Sequence, residues 1–249
     1  MTKRPARPPE SHEALRARIL RASVRGAGKP AVETGRRAVL AWLDTAARHG
    51  LALREVLKRL ASGEAALGIG AAVHDGLAAD PPEVLRNAAC RSGCAFCCIL
   101  SGGDGGTITE TEARRVHAAL APLAGQPDGR DWHRAACPAL DPESRTCRIY
   151  ENRPLLCRSF VSRDAEACRK NSEGGNAAGA GVLGSQVTYL TALGLARSAL
   201  DGTLRIRTYA LDRVAAAAVA GKTESEALEI GRQKPRALDD AIRGTAGRG

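Results

Sequence analysis

Aromatic side chains are scarce in this chain of 249 residues, which holds two Phe, three Tyr and two Trp. β-Sandwich strands draw on aromatic and β-branched residues, so the scarcity argues against that class. Abundant alanine argues for helices packed through small side chains. Long apolar runs are missing too: nothing approaches the ~18 residues that read as a membrane-spanning helix. Met1–Glu10 is charged, proline-rich and followed by no hydrophobic segment, so it reads as a disordered basic tail and not as a signal peptide. No hydrolase triad, dinucleotide fingerprint or internal repeat is visible. The glycine-rich Ser101–Gly106 lacks the Lys-Ser/Thr that would make it a P-loop. Cysteine, finally, is absent from residues 1–89 and 169–249.

All the sulfur chemistry therefore falls in one window. Cys90, Cys94, Cys97 and Cys98 form a cluster, and Cys137, Cys147, Cys157 and Cys168 follow singly. With no leader or span, the expected compartment is the cytoplasm. There thiols stay reduced, and such a set reads as metal-binding and not as a disulfide framework. Thiolate is a soft donor that selects zinc, copper(I) or iron–sulfur clusters. Cys90, Cys94 and Cys97 are close enough in sequence to serve one centre. Adjacent side chains point about 100° apart in a helix and to opposite sides of a strand, so Cys97 and Cys98 are not expected to be equivalent ligands of one ion. Two four-cysteine sites, or one cluster wide enough for both, are the simple accounts. Spacing does not choose between zinc and a 4Fe-4S cluster. All eight cysteines are candidate ligands.

Charge follows the same uneven pattern. The formal net charge is +10. Residues 1–60 carry fourteen Lys/Arg against five Asp/Glu, and the remainder is nearly neutral. A solvated helical surface explains that excess more simply than a nucleic-acid partner, because no aromatic residues interleave with the basic ones as a stacking platform. Arg145, Arg148, Arg153, Arg158 and Arg163 lie among the late cysteines, where cations lower thiol pKa and offset the charge of thiolates. Docking of an anionic substrate is their alternative role.

The expected fold is mainly α: a loop-rich, metal-stapled core flanked by N- and C-terminal helices. Residues 1–10 are the tail, 11–80 a helical region, 81–170 the cysteine domain, 171–181 a mobile glycine-rich linker, 182–233 C-terminal helices and 234–249 a frayed tail. Helices are expected over 11–22 and 33–62, the latter interrupted at Gly50. Val39, Leu40, Leu43, Ala46 and Ala47 share one face, as do Leu53, Val56, Leu57 and Leu60. Glu55 and Arg59 are spaced for an ion pair. Thr109 with Glu112, and Thr223 with Glu226, have capping-box spacing. A helical turn is expected after Pro154, helices over about 182–200, 208–220 and 224–232, and a short strand over Leu204–Thr208. Tyr150 and Phe160 are expected to cover the metal centre. His133 is a spare ligand or a loop histidine, and His117 a solvated one. Asp141 and Glu151 read as loop-capping or arginine-pairing groups.

The cysteine window resembles a known family, the bacterial CxxCxxCC-type zinc- or iron-chelating domain. The resemblance rests on Cys90, Cys94 and Cys97-Cys98; on Thr107-Ile-Thr-Glu-Thr-Glu112; on Cys137-Pro-Ala-Leu-Asp141; on Cys147-Arg-Ile-Tyr-Glu-Asn-Arg-Pro-Leu-Leu-Cys157-Arg-Ser-Phe160; and on Cys168. It covers about residues 90–168 and implies metal chelation by these cysteines. This chain has C-x3-C where the family name has C-x2-C. One branch resembles flagellin lysine N-methylases, which implies, as an alternative, an iron–sulfur, S-adenosylmethionine-dependent enzyme acting on a protein substrate. Cys90-x3-Cys94-x2-Cys97 also has the spacing of the radical S-adenosylmethionine motif, but no alternating strand–helix series follows it. A zinc-stapled adaptor that binds nucleic acid is a third reading. The first is a cytoplasmic protein that chelates metal ions as zinc or an iron–sulfur cluster.

Overall fold

Helix signals near the start of the chain are local ones. Ser11 Oγ accepts from Ala14 N at 3.0 Å and caps α1 (His12–Arg21). Glu13 stands in the first turn and Arg18 and Arg21 in the last, each sign matched to the helix dipole. Leu15 and Ile19, four apart, form its buried stripe. The structure is a computed structural model and describes residues 7–100 and 105–246. Residues 1–6 of the expected tail and 101–104 of the glycine-rich connector lie outside it.

α2 (Lys29–Arg48) opens on Pro30 and buries Val39, Leu43 and Ala46 from the expected face; Leu40 is half-buried and Ala47 exposed. The chain turns at Gly50 (φ +67°) into α3 (Leu53–Ser62), which buries Val56 and Leu60. Gly63 (φ +80°) then reverses it with no intervening loop, and a Cβ there would lie 2.3 Å from Thr109 Cγ2. α4 (Glu64–Ala79) follows, a helix that apolar spacing did not reveal because alanine and glycine dominate it. Those small residues let it approach its neighbours closely. A Cβ on Gly70 would meet Leu155 Cδ2 at 2.3 Å and Tyr189 Cβ at 2.7 Å.

α10 (Gly184–Ala199) is the axis of this first core and is buried on nearly every side. α1, α2, α4 and α13 (Arg236–Ala246) pack round it. α13 replaces the frayed tail expected from residue 234 onward, of which residues 247–249 lie outside the described residues. Leu238 and Ile242, four apart, enter the core, and Asp239 pairs with Arg197. Several N-terminal cations are also paired internally: Arg16 with Asp44 at 2.6 Å, Arg36 with Glu33 at 2.5 Å, and Arg59 with Glu55 at 3.0 Å.

A second core lies beside the first. β1 (Thr107–Thr109) pairs antiparallel with β4 (Thr208–Ala210), Ile108 opposite Tyr209. α6 (Glu110–Leu120) starts from the expected box: Thr109 Oγ1 accepts from Glu112 N at 3.3 Å, and Glu112 Oε2 accepts from Thr109 N at 2.9 Å. α11 (Leu211–Val219) and α12 (Glu224–Gly231) pack on it, the latter with the second expected box at Thr223 and Glu226. Ile108, Val116, Leu120 and Val214 are fully buried here. The strand expected over 204–208 lies instead at 208–210, because these are the residues that β1 faces. The helices after residue 182 are thus shared out, α10 and α13 to the first core and α11 and α12 to the second.

The remaining elements are short: α5 (Glu83–Arg86), α7 (Gly129–Trp132), α8 (Leu155–Ser159) after Pro154, β2 (Phe160–Ser162), α9 (Ala165–Ser172) and β3 (Ala180–Val182). β2 pairs antiparallel with β3, Val161 opposite Gly181. The glycine-rich stretch expected as a mobile linker is tied down at its start. Asn171 Nδ2 donates to Ala177 O at 2.9 Å and Asn171 Oδ1 accepts from Ala177 N at 2.5 Å. The architecture is mainly α, as expected.

Candidate metal centre

The eight cysteines come from five separate pieces of chain, and Cys98, Cys137, Cys147 and Cys157 among them meet the second core. Cys90 follows α5, where Ser162 O accepts from Ala89 N at 2.8 Å and lies 3.8 Å from Cys90 Sγ. Gly93 (φ +77°) turns the chain so that Cys94 N donates to Arg91 O at 3.0 Å. Cys97 and Cys98 sit in a single 3-10 turn, Phe96–Cys98. Cys137 N donates to Cys98 O at 2.8 Å and Leu100 N to Ala135 O at 2.9 Å, around a bridge between Ile99 and Ala136. Cys147 stands opposite Leu140, and Arg148 N donates to Ala139 O at 2.8 Å. Three strips of backbone thereby hold Cys98, Cys137 and Cys147 together. Cys157 comes from α8 and Cys168 from α9, a helix capped by Asp164 Oδ1 accepting from Glu166 N at 2.8 Å and Ala167 N at 3.1 Å.

All eight are free thiols. Cys137 is buried in the second core, and Cys98, Cys147 and Cys157 pack against that core beside it. Cys97 and Cys168 line a cleft of about 160 Å³ together with Phe96, Ile99 and Phe160. As the side chains stand, no three His, Cys, Asp or Glu among the described residues form an arrangement that could hold an ion. The donor chemistry nevertheless fits zinc or iron: soft sulfur, with four donors on one core. Cys90, Cys94, Cys97, Cys98, Cys137, Cys147, Cys157 and Cys168 are the residues that could hold it.

Electrostatics distinguish these thiols. Burial pushes Cys157 well up, and the nearby Cys137 and Cys147 add to the rise. Burial pushes Cys137 up to about 12, and it raises Cys147, Cys94 and Cys168 as well. Cys98 rises because its thiol donates to the Cys97 sulfur and because it is buried. Accepting that bond brings Cys97 down to about 7, with Arg153 contributing. Metal-free, most of these sulfurs therefore keep their protons. A bound cation would supply the positive charge that lets them ionise.

Of the five arginines among the late cysteines, Arg153 lowers Cys97, Cys147 and Cys157. Its guanidinium lies 3.6 Å over the Tyr150 ring, and its Nε donates to Tyr150 O at 3.2 Å. Arg148 also reaches Cys147 but chiefly ties backbone, donating to Pro127 O at 3.0 Å and Pro138 O at 2.9 Å. Arg145 stacks on Trp132 and Arg158 faces Asp75. Tyr150 does not cover the thiols as expected: it is 59 % exposed and serves as a platform for Arg153. Phe160 does line the cleft. His133 is a loop histidine whose Nδ1 accepts from Ala135 N at 3.2 Å. His117 is buried, not solvated, because α12 and the turn before it cover α6, leaving its Nε2 2.8 Å from Lys222 O. Asp141 caps its loop, accepting from Ser144 N and Oγ at 2.8 Å, and Glu151 is exposed.

Two residues carry more than their local sequence shows. Glu112 is 3 % exposed and does more than cap α6: Oε2 also accepts from Tyr189 OH at 2.5 Å, and Oε1 from Leu155 N at 2.9 Å. It joins α6, the helix of Cys157 and the axis of the first core. Its partners lie 43 and 77 positions away, beyond any local signal. Ser162 is the other: it anchors the Cys90 loop through its carbonyl and accepts from Asp164 N, at the start of the Cys168 helix, at 3.0 Å. A serine two positions before a helix-capping aspartate is the one hint of this in the sequence.

Residues 89–175 match the family model CxxCxxCC, described as "Putative zinc- or iron-chelating domain". The matched stretch contains all eight cysteines. No curated protein and no solved structure matches the chain.

Proposed function

We propose that this protein chelates zinc or an iron–sulfur cluster through the cysteines of residues 90–168, and that the metal staples this segment to the helices around it. One observation carries the reading: Cys98, Cys137, Cys147 and Cys157 come from four separate pieces of chain and pack on one apolar core. Buried thiols of a merely structural kind would be scattered through both cores. The surrounding residues suit the role. Arg153 brings positive charge to three of the sulfurs, Phe160 and Phe96 shield the outer face, and Glu112 fixes the helix that delivers Cys157. A bound metal would supply cross-linking between loops that share little apolar surface.

Anaerobic purification with metal analysis and a visible spectrum tests this. Zinc or iron in stoichiometric amount is the expected result. Broad absorbance near ~400 nm with iron identifies a thiolate-ligated cluster, while a colourless zinc protein identifies the zinc form and removes the ground for an iron–sulfur enzyme. Oxygen-protected material free of both metals refutes chelation.

A further inference from the structure

The thiols are distributed unevenly around the second core. On the inner side, the Cys137 amide is hydrogen-bonded to the Cys98 carbonyl at 2.8 Å, Cys147 stands on the strip paired to Leu140, and Cys157 packs against the same core from α8. None of these four is exposed. On the outer side, one residue organises the backbone. Ser162 holds the Cys90 loop through its carbonyl and receives the start of α9, which bears Cys168 and packs on the 96–98 turn. Cys97 and Cys168 line the cleft of about 160 Å³, Cys90 and Cys97 are exposed, and Cys94 lies on the turn between them.

We propose that the eight cysteines form two adjoining four-sulfur metal centres: an inner one of Cys98, Cys137, Cys147 and Cys157, and an outer one of Cys90, Cys94, Cys97 and Cys168. The division rests on the chelation reading and goes beyond it in assigning each ligand. The Cys97–Cys98 peptide is the seam, each of its two sulfurs belonging to a different centre. Closure on an ion takes rotation of the side chains, because no three sulfurs converge as they stand. The backbone strips already bring the inner ligands together, and the Ser162 node does so for Cys90 and Cys168. The centres differ in access. The inner ion is enclosed by core residues, while the outer one faces solvent through the cleft and exchanges with external ligands.

Zinc loading of the full chain under anaerobic conditions, counted by native mass spectrometry, tests the division. The wild type is expected to hold two ions. Cys90→Ser and Cys168→Ser are each expected to hold one, and the double variant Cys90→Ser/Cys168→Ser still one, since both residues serve the same centre. Pairing Cys168→Ser with Cys147→Ser is expected to leave none. If Cys147→Ser fails to fold, chelator competition on the wild type decides: two kinetic steps, one ion lost fast and one slowly, support the division, and a single step overturns it. Loss of both ions from the Cys90/Cys168 double variant also overturns it. A wild type that holds metal at one centre only, or at more than two, leaves chelation standing and sinks the division; one that takes up neither zinc nor iron defeats chelation itself.

Discussion

The core around α10 and the core beneath α6 and α11 solve the same problem with different means. In the first, Leu, Ile, Val and Ala from six helices enclose a central helix, and glycines such as Gly70 let the helices approach closely. Burial of that kind stabilises by about 1.5–3 kcal/mol for each large aliphatic side chain, and nothing further is needed to close it. In the second, three helices and a two-stranded ribbon cover one side, and the other side is built from turns, isolated bridges and cysteines. Residues 121–162 contain no α-helix longer than five residues. This segment's large buried aliphatic side chains are Leu140, Ile149, Leu155 and Val161, set against the entropy of ordering its whole backbone. The contrast teaches where cross-links would belong: the chain places all eight cysteines where the apolar core gives out.

Metal removal separates the two regions most strongly. A structural zinc site contributes about 10–16 kcal/mol in small zinc-finger peptides. Chelation of the loaded protein is therefore expected to strip hydrogen-exchange protection from residues 90–168 while α2, α4 and α10 keep theirs. Simultaneous loss of protection in α10 would show one cooperative unit and erase the distinction.

The reverse perturbation is smaller. Leu193 is fully buried in the first core, so Leu193→Ala is expected to cost about 2–5 kcal/mol by denaturant unfolding. Metal content of the folded variant should be unchanged. Loss of metal alongside stability would mean that the thiols depend on the packing of α10.

What could be read in advance tracks how local its cause is. The caps at Thr109 and Thr223, the break at Gly50 and the turn after Pro154 each depend on residues within a few positions, and each is found where expected. α4 falls within the helical region expected over 11–80 but could not be placed there individually, because Gly68, Gly70 and Gly76 lower intrinsic helix propensity and only tertiary packing overrides that. α13 went unread because two buried residues, Leu238 and Ile242, make too thin a stripe to detect. Within the site, the chemistry of the cysteines was legible and their placement in space was not. Sulfur is soft wherever it sits, but Cys98 meets Cys137 through a backbone bond between segments 39 positions apart. Tyr150 was misplaced for the same reason: which way a ring turns depends on its neighbours in space, here Arg153.

The junction between the cores offers the finest test. Tyr189 OH, from the axis of the first core, donates to Glu112 at 2.5 Å, and Glu112 also receives the amide that opens the Cys157 helix. Tyr189→Phe removes one donor from a carboxylate that keeps three others, and the expected cost is about 1.5 kcal/mol near neutral pH. Its pH dependence has a definite sign. Burial first, and the Glu112 charge next, raise the Tyr189 hydroxyl well above the ordinary tyrosine value. Above pH ~10 the unfolded chain therefore releases this proton while the folded chain keeps it, so wild-type stability falls as pH rises, by up to about 1.4 kcal/mol per pH unit from this group. Between neutral pH and that range Tyr189 titrates in neither state, and the gap between wild type and variant stays constant. The variant lacks the proton, so its stability should fall less steeply above pH 10, and the two unfolding curves should converge. Parallel curves through that range would mean that Tyr189 reaches water in the folded state and that the junction is open.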